Sequence, residues 1–264
     1  MEKDFKMVAT TMFGLEGVLA KELANLGAKE VTEAVRSVSF KGDTGFLYKA
    51  NIALRTAIRI LKPIKVTKIY DEEDLYDAVK KVKWEKYLDI DGTFAIGAVS
   101  NSVNLPNHSH YIALKSKDAI ADYFRDKFGK RPDVDVAYPD LKIHIHIKND
   151  YLTISLDSSG DSLHKRGYRT ATNIAPINEV LAAGMVLLSG YRGEENFIDP
   201  MCGSGTILIE AAMIANNIPA NINRKRFGFE TWKDYDEELY FIIQDALLKK
   251  IRSSHFKIMG FDKA

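Results

Sequence analysis

The chain has 264 residues, of which 46% are hydrophobic and 28% are charged, and its formal net charge is +1. This composition is typical of a soluble globular protein, and the length allows two domains. The near-zero charge excludes a global basic field, so any contact with nucleic acid has to come from local patches. A single cysteine excludes an intrachain disulfide framework. No apolar run reaches the ~20 residues that span a bilayer, so we expect a cytoplasmic protein without a membrane partner.

The first part of the chain has the pattern of a small α+β unit. Residues 5–11 predict a strand, and apolar residues at spacings of three and four predict a helix over residues 15–26. Alternating valines predict one strand over residues 31–40. A turn is expected at residues 43–45, and helical spacing returns over residues 46–61. This order of elements is typical of a ferredoxin-like fold.

A second unit of mixed helices and strands follows. Helices are predicted over residues 71–83 and 114–128, with a strand over residues 93–99 between them. Two alternating strands over residues 141–148 and 151–156 predict a hairpin. The serine-rich and glycine-containing stretch that comes next, residues 157–161, is the best candidate for a domain boundary.

The last part of the chain alternates helices and short strands. Helices are predicted over residues 178–188, 207–215 and 236–251, and strands over residues 196–198 and 255–261. Between the first of these strands and the helix that follows it lies the most informative segment of the sequence. This segment reads Asp199-Pro200-Met201-Cys202-Gly203-Ser204-Gly205-Thr206.

An acidic residue that closes a strand before a glycine turn is typical of a nucleotide pocket in an open α/β sheet. The turn lacks the lysine of a phosphate-binding loop and the third glycine of the dinucleotide fingerprint. It therefore favours a cofactor with cationic groups and no phosphate, and S-adenosylmethionine meets that description. The string also resembles the cofactor motif of class I methyltransferases that modify amino groups of nucleic-acid bases. A tight turn without a ligand is the alternative.

The predicted strand over residues 255–261 ends just before Asp262. A carboxylate at this position can bind both ribose hydroxyls of a nucleoside cofactor. Asp262 lies much further from Gly203 than the ~20 residues of a compact unit, so an insertion is expected over residues 217–240. The last part of the chain has only two predicted strands before Ala264, so we expect its sheet to be incomplete. No Asn-Pro-Pro-Tyr or Asp-Pro-Pro-Tyr motif occurs. The catalytic residues are therefore unknown, and we expect this chain alone to be inactive.

Two basic groups are candidates for RNA contact. Lysines at the start of a helix attract phosphates, and a cluster of cations with an aromatic ring suits backbone contact and base stacking. The first group is Lys115 and Lys117, and the second is Lys165, Arg166, Tyr168 and Arg169. Ordinary surface lysines and a solvated linker are the respective alternatives.

Two further groups of reactive side chains have less specific patterns. Lys142, His144, His146 and Lys148 share one face of a predicted strand, but no third metal ligand is evident, so we expect no metal site. An RNA-facing surface and an ordinary solvated sheet face both remain open. Cys202 has no evident general-base partner, and we expect a small packed residue rather than a nucleophile.

The order of these parts resembles the bacterial RNA guanine-N2 methyltransferases that carry a THUMP domain ahead of a Rossmann-like catalytic domain. Such proteins are often labelled N6-adenine-specific DNA methylases. The most specific segments are residues 13–16, 116–120, 163–169, 175–179 and 199–212. The resemblance covers nearly the whole chain, in which we expect only the first half of the catalytic domain.

The resemblance implies an α+β N-terminal half followed by an incomplete α/β Rossmann-like methyltransferase domain. The expected divisions are a ferredoxin-like portion over residues 1–43, a THUMP-like RNA-binding domain over 44–156, and the first half of the methyltransferase domain over 157–264. The resemblance also implies that residues 199–206 and Asp262 contact S-adenosylmethionine. The THUMP unit is expected to bind structured RNA, with ribosomal RNA favoured and tRNA as the alternative.

Two other functions remain open from the sequence. A DNA adenine-N6 methyltransferase shares the same cofactor turn, and a non-catalytic RNA-binding fragment shares the same N-terminal half. The sequence does not specify the target nucleotide or the oligomeric state.

Overall fold

The computed structural model describes residues 4–101, 108–169 and 176–263. The chain forms two compact units. The first unit comprises Met1–Ile60, Asp161–Phe227 and Asp236–Ala264, and the second comprises Leu61–Gly160 and Gly228–Tyr235. Two residues named in the sequence predictions, Ala175 and Ala264, lie outside the described residues. Among the described residues, no helix is both long enough and apolar enough to cross a membrane.

The N-terminal part of the first unit contains three strands and two helices. These are β1 (Phe5–Thr10), α1 (Glu16–Leu26), β2 (Lys29–Ala34), β3 (Ser37–Gly42) and α2 (Thr44–Ala53). Strand β3 is antiparallel to both β1 and β2. The core beneath these strands is formed by Met7, Ala9, Leu19, Leu23, Val38 and Phe40. The helix and the first strand predicted here are therefore confirmed.

The prediction of one strand over residues 31–40 is wrong, because the chain reverses there in a hairpin between β2 and β3. Arg36 adopts a left-handed φ of 55°, which allows the tight reversal. Val35 is exposed in this turn rather than packed within a strand. Alternation alone could not separate one strand from two short strands joined by a tight turn.

The prediction of a turn at residues 43–45 and a helix over residues 46–61 also needs correction. Asp43 caps α2 by accepting a hydrogen bond from the backbone N of Phe46 at 2.8 Å, so the helix already begins at Thr44. The helix ends at Ala53, and Leu54 is extended. The apolar residues that follow belong instead to the next strand.

The second unit contains five strands of a mixed sheet. Its elements are β4 (Arg59–Lys68), α3 (Glu72–Lys80), β5 (Thr93–Asn101), α4 (Ser109–Phe128), β6 (Asp133–Val134), β7 (Leu141–Lys148) and β8 (Tyr151–Asp157). The strand order is β4-β8-β7-β5-β6. Strand β5 is parallel to β6 and β7, whereas β8 is antiparallel to β7 and β4. The predicted hairpin between β7 and β8 is confirmed, with Asn149 at a φ of 53°.

Helices α3 and α4 pack against each other, and together with the sheet they form the core of the second unit. The strands contribute the buried Phe94, Ile143, Ile145, Ile147, Leu152 and Ile154. The helices contribute the buried Leu75, Val79, Ile112, Ala119, Ile120 and Phe124. Because side chains alternate along a strand, the opposite sheet face carries the polar residues between these apolar ones.

The remaining part of the first unit builds a short parallel sheet. Its elements are α5 (Glu179–Leu188), β9 (Phe197–Asp199), α6 (Thr206–Ala215), α7 (Glu237–Leu248) and β10 (Ile258–Gly260). Strands β9 and β10 pair in parallel, so their carboxyl ends meet at one edge. A Cβ atom on Gly184 of α5 would lie 2.6 Å from Leu15 Cδ1, so α5 packs closely on the N-terminal part of this unit.

Candidate functional site

The glycine turn after β9 is open on one side. Gly203 and Gly205 have left-handed φ angles of 53° and 75°, and a Cβ atom on either would meet no heavy atom within 4 Å. Gly205 directly precedes α6, which begins at Thr206. The turn therefore offers backbone that a ligand can approach closely, which is the role of glycines in nucleotide-binding turns.

The two predicted carboxylates meet at this turn. The backbone N of Gly203 donates to Asp262 Oδ2 at 2.6 Å. Asp199 and Phe261 are joined by a backbone hydrogen bond of 2.9 Å from the Phe261 N to the Asp199 O. Asp199 thus ends β9 and Asp262 follows its parallel neighbour β10, at the same sheet edge, as the strand order predicts.

Asp199 has one carboxylate oxygen that needs a partner. Its Oδ1 accepts from the backbone N of Met201 at 3.1 Å, but its buried Oδ2 has no hydrogen-bond partner among the described residues. An unpaired buried carboxylate oxygen favours a cationic or N–H donor. Together with the open turn and the absence of a lysine on it, this oxygen fits a nucleoside cofactor that carries an ammonium or sulfonium group and no phosphate.

Cys202 packs beneath the turn. A Cβ atom on Gly260 would lie 2.2 Å from Leu208 Cδ1 and 2.9 Å from Cys202 Sγ. Only a glycine at the end of β10 therefore lets the strand approach the turn this closely. The half-buried Cys202 thiol contributes to this packing, in the place where we expected a small packed residue.

Arg169 contacts the glycine turn directly. Its guanidinium donates to Glu179 Oε1 at 2.8 and 3.0 Å, to Thr206 Oγ1 at 3.1 Å and to Ser204 Oγ at 3.5 Å. Arg169 is therefore one of the residues that define the shape of the site. The sequence prediction identified this arginine but missed its partner Glu179.

Arg166 is completely buried, so the expectation that it contacts RNA is not supported by its position. Its Nε donates to Glu210 Oε1 at 3.3 Å, and its Nη1 donates to Asn221 Oδ1 at 3.1 Å. Its Nη2 donates to the backbone O of Arg55. With its donors used inside the protein, the guanidinium is not available to a phosphate.

Tyr168 and Glu210 belong to the same buried network. The Tyr168 hydroxyl donates to Glu210 Oε1 at 3.1 Å. Burial raises the pKa of Tyr168 well above its usual value, and the charge of Glu210 adds to this effect. Burial also raises the pKa of Glu210, against the opposing effect of the Arg166 and Arg55 guanidiniums. Glu210 is the one acidic residue in the apolar helix segment 207–212. That pattern is a sequence signal that could have indicated a buried partner for Arg166.

A cavity of about 440 Å³ lies beside these residues in the first unit. It is lined by residues 164–169 and 176–179. Within it, His164 Nδ1 lies 2.7 Å from Ser162 Oγ, and burial lowers the pKa of the His164 imidazole. Lys165 is exposed at its rim and pairs with Asp161 at 3.3 Å. Arg169 lines this cavity and also donates to Ser204 and Thr206. The basic and aromatic segment 165–169 therefore borders the glycine turn.

Lys115 and Lys117 do not begin a helix, because α4 already begins at Ser109. They lie in its second and third turns, so the phosphate-binding argument from a helix N-terminus does not apply to them. Lys115 Nζ lies 3.7 Å from Glu73 Oε1, and Lys117 Nζ lies 3.1 Å from Asp118 Oδ1. In the described parts of the chain, no three His, Cys, Asp or Glu side chains are grouped to bind a metal.

Three domain models match the chain in succession. They are the RlmL ferredoxin-like domain over residues 6–61, the THUMP domain over residues 70–157, and the RMKL-like methyltransferase domain over residues 166–264. The fold class expected from the sequence is therefore confirmed.

Two curated relatives are each 40% identical to this chain. The ribosomal RNA large subunit methyltransferase K/L of Syntrophotalea carbinolica aligns with 96% of the chain, over 257 residues. A candidate RNA methyltransferase of Synechocystis aligns with 88% of the chain, over 232 residues. The chain spans 35% of the first relative and 60% of the second.

Two solved structures share the fold over almost the entire chain. SMU.472, a candidate methyltransferase crystallised with SAH, has a TM-score of 0.85 and 34% identity, and the match covers 99% of this chain and 69% of that one. A predicted N6-adenine-specific DNA methylase from Listeria monocytogenes has a TM-score of 0.86 and 33% identity, with coverage of 98% and 68%. The chain therefore belongs to the family of methyltransferases in which a ferredoxin-like domain and a THUMP domain precede an RMKL-like methyltransferase domain.

Proposed function

We propose that this protein is an S-adenosylmethionine-dependent RNA methyltransferase that modifies the N2 amino group of a guanine in ribosomal RNA. The observation that carries the proposal is the open glycine turn flanked by Asp199 and Asp262 at the edge of two parallel strands. The SAH complex of SMU.472 supports the cofactor. The name of the Syntrophotalea relative supports ribosomal RNA as the substrate class.

The cofactor would be held by residues 199–206 and Asp262. Asp262 is exposed and already accepts from the Gly203 amide, so its carboxylate is oriented at the turn and can receive ribose hydroxyls. The unpaired Oδ2 of Asp199 would accept from an N–H group of the ligand. Arg169 would fix the Ser204 and Thr206 side chains. When bound, S-adenosylmethionine supplies an electrophilic methyl group for direct transfer to a base amine.

The chain's own contribution to the reaction would be binding and orientation. Correct placement of two reactants can account for a large part of a rate enhancement without an acid or base from the protein. Among the residues predicted to contact RNA, Lys165 is the exposed one at the cavity rim, beside Tyr168 and Arg169. We propose that Lys165 approaches the RNA backbone, while Lys115 and Lys117 remain weaker candidates on α4.

Nucleoside analysis tests the proposed reaction. The full-length protein is incubated with S-adenosylmethionine and large-subunit ribosomal RNA or tRNA, and the digested nucleosides are identified by mass spectrometry. We expect N2-methylguanosine in ribosomal RNA with wild type and none with Asp199→Ala. A matched Asp245→Ala variant, on the exposed face of α7, should retain activity. Absence of methylation in both RNAs with wild type would overturn the proposal.

The name of the Listeria protein favours one alternative, adenine-N6 methylation of DNA. To distinguish the two reactions, RNA oligonucleotides and DNA oligonucleotides are incubated in parallel with the same full-length protein. N6-methyladenine in DNA, without methylguanosine in RNA, would support the alternative. Salt-sensitive RNA binding without any methyl transfer would instead indicate a non-catalytic RNA-binding protein.

A further inference from the structure

The sheet of the second unit has one face that is open near the β7–β8 hairpin. The helices cover the apolar face, and the polar face of β7 carries Lys142, His144, His146 and Lys148. Val66 on β4 and Val99 on β5 are exposed on the same polar side, opposite Thr153 and His146 in the strand register. This side of the sheet therefore presents both cationic and apolar side chains.

Two exposed tyrosines flank a lysine on this open face. Lys68 Nζ lies 5.5 Å from the ring centroid of Tyr70 and 5.8 Å from that of Tyr151. Tyr70 is 59% exposed and Tyr151 is 50% exposed, so both rings present surface to solvent. In the strand register Tyr151 lies opposite both Lys68 and Lys148. We call Lys68, Tyr70, Lys148 and Tyr151 the tyrosine platform.

The charge of the platform favours an anionic partner. Neither Lys68 nor Lys148 forms an ion pair with a carboxylate among the described residues, whereas many other lysines of this unit do, such as Lys80, Lys127 and Lys130. The nearest acidic side chains by sequence are Asp150 in the hairpin turn and Asp71, the N-cap of α3, which directly follows Tyr70. The two lysine charges therefore remain available to a ligand.

Aromatic rings and unpaired lysines on an open sheet are the elements of a site for unpaired nucleotides. Bases without a partner stack on aromatic side chains, and lysines contact the phosphates between them. A double helix hides its base faces and is recognised by shape instead. We propose that the tyrosine platform binds unpaired nucleotides of the RNA substrate. This proposal rests on the proposed function, because it names an RNA-contacting surface of the same enzyme.

Fluorescence anisotropy tests the platform. The probe is a labelled single-stranded RNA of about 12 nucleotides, a typical length for such sites, and the comparison is a duplex of the same sequence. We expect Tyr151→Ala in the full-length protein to weaken single-strand binding about tenfold, since stacking on one aromatic ring contributes on that order. Tyr151→Phe keeps the ring and should stay within about twofold of wild type. Duplex binding should change little in either variant.

Matched controls keep the test specific. Tyr138 is 73% exposed and lies in the loop before β7, so Tyr138→Ala removes a ring that is more exposed than that of Tyr151 and lies away from the platform. It should leave the Kd for the single strand unchanged. The double variant Lys68→Gln with Lys148→Gln should lower the slope of log Kd against log salt by about 1.4, because each phosphate contact on a single strand contributes about 0.7. Thermal melting establishes that each variant is folded.

Three outcomes would overturn the platform. The first is that Tyr151→Ala binds the single strand as tightly as wild type. The second is that Tyr151→Phe loses as much affinity as Tyr151→Ala. The third is that Tyr138→Ala weakens single-strand binding as much as Tyr151→Ala does. S-adenosylmethionine binding, measured separately by calorimetry, distinguishes this failure from failure of the proposed function. Absence of cofactor binding in wild type, with Tyr151-dependent RNA binding intact, would contradict the enzyme function and leave the platform standing.

Discussion

Arg166 and Glu210 form an ion pair in which both side chains are completely buried, with 3.3 Å between Nε and Oε1. Glu210 lies one turn after Thr206 in α6, so the pair holds the start of the helix that follows the glycine turn. Further hydrogen bonds connect Arg166 to Asn221 and to the backbone of Arg55. A buried polar network thus joins the candidate cofactor turn to the ferredoxin-like segment within the first unit.

Breaking this buried pair should destabilise the protein strongly. Glu210→Gln keeps the side-chain volume but leaves the Arg166 charge without a counter-charge, so we expect the free energy of unfolding to fall by about 3–5 kcal/mol. Urea denaturation measures the change. The control is Asp161→Asn, which removes an exposed pair with Lys165 and should cost at most about 1 kcal/mol. Equal losses in the two variants would mean that the buried pair has no special role.

Removing Arg169 should weaken cofactor binding. Its guanidinium fixes Thr206 Oγ1 and Glu179 Oε1 beside the glycine turn, so Arg169→Met should raise the Kd for S-adenosylmethionine about tenfold, the equivalent of one charge-assisted hydrogen bond. Calorimetry measures this affinity. Arg125→Met removes an arginine that is exposed on α4 and serves as the matched control. A Kd for Arg169→Met within twofold of that control would argue against a role in the site.

A side chain at Gly260 should displace its neighbours at a cost in stability. A Cβ atom there would come within 2.2 Å of Leu208 Cδ1, so Gly260→Ala should lower the free energy of unfolding by about 1–3 kcal/mol through overpacking and displace the glycine turn. In Gly97→Ala the new Cβ atom meets only His144 Cδ2, at 4.0 Å. That control should change stability little. The close contact between β10 and the turn would be refuted if both variants unfold at the same denaturant concentration as wild type.

Glu85 should make the second unit sensitive to acid. Hydrogen bonds from Lys127 and Tyr123 lower the pKa of its carboxyl from 4.5 to about 2. Because the folded pKa is below the unfolded one, Glu85 stabilises the protein above pH 4.5, and this contribution is lost as the pH falls toward 2.

Melting temperatures across this pH range test the contribution of Glu85. Wild type should melt above Glu85→Gln near neutral pH, and the difference should shrink steadily below pH 4.5. Glu194→Gln replaces an exposed carboxylate in the loop before β9 and should show no such trend. A difference between wild type and Glu85→Gln that is independent of pH would contradict the assigned ion pair.

The sequence was sufficient to predict the parts of the site that depend on local order. Asp199 and Asp262 could be placed together because each lies at the carboxyl end of a strand, and parallel strands end at the same sheet edge. The helix after the turn and the β7–β8 hairpin were likewise readable from periodicity and turn residues. The tight reversal at Arg36 and the true start of α4 at Ser109 were missed, because neither has a strong local signal.

The contacts that shape the site could not be predicted in the same way. The hydrogen bond from Arg166 to Arg55 spans 111 residues of sequence, and no local pattern distinguishes a buried arginine from a solvated one. Glu179 and Glu210 acquire their roles only when α5 and α6 fold against the segment that contains Arg169. Tertiary packing therefore decides which members of a basic cluster point inward.

Calorimetric titration of S-adenosylmethionine is the most direct test of the central claim, which is that Asp199 and Asp262 at the glycine turn hold the cofactor. In the full-length protein we expect measurable binding to wild type, at least tenfold weaker binding to Asp199→Ala and to Asp262→Ala, and unchanged binding to Asp245→Ala. Wild-type affinity in both Asp199→Ala and Asp262→Ala would contradict the assignment of this turn as the cofactor site.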